Sequence, residues 1–87
     1  MRKRYYHEEV GGIRFVFAYD SEAPELLHIY ARHLMEPGDA IDTFFDGDQA
    51  WNKEHKRFET STAELTVFWL WLEEDVAVMV ISCFSND

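Results

Sequence analysis

Residues 64–84 hold the feature that most limits what this chain can fold into. Two apolar runs, Glu64 to Leu72 and Val76 to Phe84, flank the acidic triplet Glu73-Glu74-Asp75. Their length and their β-branched and aromatic content predict a strand–turn–strand hairpin. Neither run alternates with polar residues. Val67, Trp69 and Trp71 fall on one face of the first strand, and Phe68, Leu70 and Leu72 on the other. A strand that is apolar on both faces belongs at the centre of a sheet, with cover on each side. One face has to take helices from this chain. The other is covered by a second subunit or a binding partner, or is buried within the chain itself.

The rest of the chain supplies those elements. Gly11-Gly12 marks a turn. Ile13, Phe15, Phe17 and Tyr19 then alternate with Arg14, Val16 and Ala18, which predicts a strand with one strongly apolar face. Residues 3–8 can pair with it as a hairpin. A first helix is expected from Asp20-Ser21, with Ser21 as cap, Glu22 and Glu25 at its positive end and Pro24 in its first turn. It runs to about Leu34, because Pro37 disfavours helix in the residue before it. A second helix starts near Pro37 and stops at Gly47, with Ala40, Ile41, Phe44 and Phe45 on one side and Asp39, Asp42 and Asp46 on the other. The polar stretch 48–56 reads as a loop and Arg57 to Thr60 as a short strand. The expected fold is therefore one α+β domain over residues 1–87, with an antiparallel sheet of about four strands, two helices on one face, and the order β-α-α-β-β-β.

Size permits this. Surface scaling for 87 residues gives burial of about 64% of the unfolded chain's surface, enough for a core without metal or disulfide. A hydrophobic fraction of 47% argues against disorder. Cys83 is the one cysteine, so no internal disulfide forms, and a reducing cytoplasm is the expected compartment. The basic start Arg2-Lys3-Arg4 is not followed by an apolar segment, so no signal peptide is expected, and no apolar run is long enough to span a bilayer.

The net charge of −9 opposes non-specific nucleic-acid binding, which needs clustered cations. The charge is uneven: residues 20–48 carry one basic and eight acidic side chains. The Asp39, Asp42, Asp46 face reads either as a solvated helix surface or as an anionic surface for a basic protein. Its helical spacing is not that of a calcium loop, no zinc spacing exists, and no cofactor is expected. On the first helix, His28, Arg32 and His33 put a base near a phosphate-binding cation, or form surface pairs. Lys53, His55, Lys56 and Arg57 make a small basic cluster that either holds a phosphate or pairs with nearby acids. No glycine-rich phosphate loop or nucleophile elbow is present.

Phe17-Ala18-Tyr19-Asp20, Arg32-His33, Asp39-Ala40, Phe45-Asp46, Arg57-Phe58 and Ile81-Ser82 follow one another in an order that resembles the BrnT-type toxins of the RelE/ParE-like ribonuclease fold. The resemblance implies a metal-independent endoribonuclease using His33 and Arg57, with Lys56 or His55 assisting. Two departures oppose that activity: Cys83-Phe84 stands where the family has Ala-Arg, and the chain is acidic where such toxins are basic. The leading expectation is accordingly a small cytoplasmic interaction protein on such a scaffold, in a toxin–antitoxin or phage–host conflict setting. It would bind a protein partner, or itself as a homodimer, through Asp39, Asp42, Asp46, Phe68, Trp69 and Trp71. Alternatives are the ribonuclease, and an immunity protein whose acidic face covers a basic enzyme site.

Overall fold

The structure, a computed structural model, describes residues 4–87. Gly11 and Gly12 join β1 (Tyr5–Val10) to β2 (Ile13–Ala18), and both have positive φ (61° and 80°), as a two-residue hairpin turn requires. The chain then forms α1 (His28–His33) and α2 (Pro37–Asp46), followed by β3 (Asp48–Asn52), β4 (Arg57–Ser61), β5 (Leu65–Glu73) and β6 (Ala77–Ser85). The fold is α+β, but its sheet has six strands in the order β1-β2-β6-β5-β4-β3 rather than about four. It is also mixed. β2 runs parallel to β6, from Arg14↔Ala77 to Phe17↔Val80, while the other pairs are antiparallel. The segment 3–8 falls partly outside the described residues; from Tyr5 onward it pairs with β2 as a hairpin.

Two local expectations are corrected. Residues 20–27 are not helical, and α1 begins only at His28. The carboxylate of Asp20 accepts the amides of Glu22 and Ala23, and the Asp20 amide donates to the Leu26 carbonyl at 2.8 Å. These bonds close a compact loop in place of a first helical turn, and Pro24 brings no N–H that could reopen it. Residues 48–52 are a strand, not a loop. β3 lies at the sheet edge, where only Trp51 finds an apolar neighbour, the Phe58 ring at 4.8 Å. Asp48, Gln49 and Ala50 are exposed and Asn52 is held by Glu59, so the segment reads as polar.

α2 starts and stops where the sequence places it. Pro37 sits in its first turn, the Glu36 amide donates to Asp39 Oδ2 at 2.8 Å, and Gly47 ends it. Gly47 is required for space: a Cβ there would sit 2.7 Å from the Ser61 carbonyl oxygen. Both helices pack on the same face of the sheet. The core on that side joins Phe15 and Phe17 of β2, Val67 and Trp69 of β5, and Val78, Val80 and Cys83 of β6 to Ile29, Ala40 and Ile41 of the helices. Phe44 of α2 meets Trp69 edge-on at 4.7 Å, and Phe58 stacks on the other side of Trp69 at 4.5 Å. The Trp69 indole donates to Thr60 Oγ1 at 2.9 Å, so the one polar atom of this fully buried ring is satisfied.

Candidate functional site

Strand periodicity assigns the second face. Phe68 pairs with Ser82, Leu70 with Met79 and Thr66 with Phe84, and these residues point away from Val67, Trp69 and Trp71. A bulge between Phe68 and Trp69 is absorbed by Ile81 of β6, so β5 keeps its alternation as far as Trp71, and a second shift follows at Leu72. None of Phe68, Leu70, Met79 or Phe84 belongs to the helix-side core. All four are only partly buried. Among the described residues no helix covers this face. At its end near the β5–β6 turn, Leu72 is 55% and Val76 43% exposed.

The polar fringe of this open face is built from the flanking strands. The Arg57 guanidinium lies 3.7 Å above the Phe68 ring, a cation–π contact, and its Nε donates to Glu59 Oε2 at 3.1 Å. The Asn52 amide donates to the same carboxylate at 2.8 Å. The Asn52 bond, joined by Arg57, outweighs desolvation and holds Glu59 below its ordinary pKa. On the opposite flank Glu9 stands in register with Arg14. The Phe68 ring meets Phe84 at 4.9 Å, and Phe84 meets His33 at 5.7 Å where the end of α1 reaches β6.

That stripe fixes the geometry of the ribonuclease pair. His33 and Arg57 lie at two ends of it with the phenyl rings of Phe84 and Phe68 between them, and Arg57 is occupied by Glu59. The two side chains do not meet. His55 and Lys56 are exposed in the β3–β4 turn, where His55 approaches Glu54 at 3.4 Å. Of the three aromatic residues expected to bind a partner, Phe68 is on the open face. Trp69 is fully buried toward the helices, and Trp71, half-buried beside Phe44, lies on the same side.

Asp39, Asp42 and Asp46 do share one side of α2. With Thr43, Thr62, Glu64 and Leu65 they line a shallow groove of about 200 Å³. No cluster of three or more metal-ligating side chains with suitable geometry exists among the described residues.

Sequence reading singled out His28 and Arg32 but not the group that joins them. Asp20 is 3% exposed; its Oδ1 accepts from Arg32 Nε at 2.9 Å and contacts His28 Nδ1 at 3.1 Å. Burial alone would raise its pKa, but the Glu22 amide, Arg32, the Ala23 amide and His28 together bring it down to about 2. Arg32 is further tied to Glu22 at 2.7 Å. All the charges here are consumed internally, so the cluster clasps the 20–27 loop to α1. The aspartate at a strand end followed by helical His-x-x-x-Arg was the available signal.

No family model, curated protein or solved structure matches this chain. Its geometry therefore carries the functional argument. No helix among the described residues is long and apolar enough to cross a membrane.

Proposed function

We propose that this chain is a small protein-interaction module whose contact surface is the open face of the sheet. One observation carries the reading. The two central strands are apolar on both faces, both helices cover one of them, and the other is left with Phe68, Leu70 and Met79 outside the helix-packed core and with Phe84 meeting His33 at the end of α1. An apolar sheet face fringed by the Arg57–Glu59 ion pair and by Glu9 and Arg14 in register has the anatomy of a protein interface. The resemblance to BrnT-type toxins adds the setting: a conflict between toxin and antitoxin, or phage and host, where small proteins act by binding. The ribonuclease alternative loses support from the separation of His33 and Arg57 and from the charge of −9.

Photo-crosslinking tests this. A benzophenone amino acid at Leu70 or Phe68 should give protein adducts in cells, and one at Lys53 in the β3–β4 turn should not. Adducts from Lys53 alone would place the contact surface elsewhere and sink the reading. A second reading draws on the groove formed by Asp39, Asp42, Asp46 and Glu64, whose four carboxylates suit the basic surface of an enzyme that an immunity protein would cover. Such binding should weaken steeply between 50 and 300 mM salt, and salt-independent binding would remove it.

A further inference from the structure

The chemistry of the open face narrows what can sit on it. We infer that its occupant is a second copy of this chain, seated sheet to sheet about a twofold axis. The inference rests on the proposal that the open face is a protein-binding surface, and it names the partner.

Charge is the first argument. Two chains of net charge −9 repel unless the surfaces that meet are close to neutral. The acidity is concentrated in residues 20–48, and seven of those eight acids belong to the loop and the two helices, with only Asp48 in the sheet. On the open face Arg57 is paired with Glu59 on one flank, Arg14 stands in register with Glu9 on the other, and Asp48 at the start of β3 adds one acid at the edge. A surface bearing both signs at its fringe and neither at its centre is self-complementary, as a twofold contact requires. A basic partner would be drawn to the helix side instead.

Area is the second argument. Six strands at about 4.8 Å spacing, five to nine residues long, present a face of roughly 600–700 Å² before side-chain relief is counted. A standard interface buries about 800 Å² per partner, so one sheet face fitted to another reaches the size of a stable contact. Sheets stack about 10 Å apart with strands turned by about 30°, and side chains from the two inner faces interdigitate. Leu70, Met79, Phe68 and Phe84 are of the size that fills such a gap. The product is a four-layer arrangement, helices outside and two sheets inside, with the two Asp39–Asp42–Asp46 grooves facing solvent.

Sedimentation equilibrium on the purified chain between 5 and 500 µM tests this. The wild type should show twice the 10.3 kDa chain mass. Leu70→Glu, which places a carboxylate in the dry centre, should weaken association on the order of 100-fold or more. Tyr30→Glu, on the exposed side of α1, should leave the dimer intact. The near-UV circular dichroism of Trp69 reports whether each variant is folded. Should Leu70→Glu fail to fold, Leu70→Gln replaces it, and the folded variant should associate more weakly than the wild type. A folded wild type that stays monomeric at 500 µM overturns the inference. The crosslinks from position 70 then decide the broader proposal: an adduct with a different protein preserves it, and no adduct removes both.

Discussion

Replacing Trp69 by Phe and Thr60 by Val, singly and together, measures the bond that organises the core. Trp69 is 0% exposed and its indole N–H donates to Thr60 Oγ1 at 2.9 Å. Trp69→Phe removes a donor worth about 1 kcal/mol and opens a void beside Phe44 and Phe58 worth about 1–2 kcal/mol more. Thr60→Val keeps the shape of its side chain but strands the buried indole N–H, at about 1–3 kcal/mol. In the double variant the bond is lost only once. The two single costs should therefore exceed the double cost by about 1 kcal/mol. For a domain of this size 1 kcal/mol moves Tm by about 4–8 °C, so Trp69→Phe alone should lower it by about 10–20 °C. Urea titration followed by far-UV circular dichroism reads these costs without depending on tryptophan emission. Costs that add within about 0.3 kcal/mol would show that the bond contributes nothing and that packing alone holds Trp69.

Three further outcomes follow from other parts of the fold. Asp20 titrates at about 2 against an unfolded value of 3.8, so its contribution is fully present above pH 4 and is lost as pH falls from about 4 toward 2. Subtracting the stability profile of Asp20→Asn from that of the wild type should show a slope confined to that window, and a flat difference would refute the clasp. Gly47→Ala should cost about 1–3 kcal/mol because its Cβ meets the Ser61 backbone at 2.7–2.8 Å, whereas Gly38→Ala, in open space on the same helix, should stabilise by up to about 1 kcal/mol; chemical denaturation of both variants checks the contrast. Burial, with the charge of Asp39 adding to it, pushes the Cys83 thiol from 9.0 up to about 11, which cuts its thiolate about 100-fold before shielding is counted. Modification by a thiol reagent at pH 8 should be at least that much slower in the native protein than in urea.

Much of the helix-side architecture was legible because local signals agreed. The paired glycines fixed the β1–β2 turn, Pro37 and Gly47 bounded α2, and two apolar runs around an acidic triplet gave β5 and β6. What was missed has identifiable causes. The β2–β6 pairing joins residues about sixty positions apart, and no local periodicity encodes a partner at that distance. β3 was hidden because an edge strand needs only one apolar contact, Trp51 on Phe58. The late start of α1 turned on whether Ser21 caps a helix or Asp20 closes a loop, and only the tertiary position of Arg32 decides between them. The same fact hid the Asp20 clasp, since the carboxylate and its cation are twelve residues apart. The alternation of Phe68 and Leu70 with Trp69 and Trp71 was visible. Which pair would face the helices was not, because both are aromatic or aliphatic and of similar bulk.

The two faces of β5 divide the work of the protein between them. On the helix side every demand is met internally: the Trp69 indole has Thr60, and among the described residues no buried side-chain donor or acceptor lacks a partner. A core so completed gains nothing from a second chain. On the open side the same strand spends Phe68 and Leu70 where one chain leaves them partly wet, a choice that would cost solubility in a neutral protein. Acidity on the helix side offsets that cost, because it keeps molecules apart in every orientation except the one in which the near-neutral sheet faces meet. In the proposed dimer, charge and apolar surface would act together to restrict association to one geometry. Adding salt should accordingly strengthen the proposed dimer by screening repulsion between the helical sides, while a contact built on ion pairs would weaken.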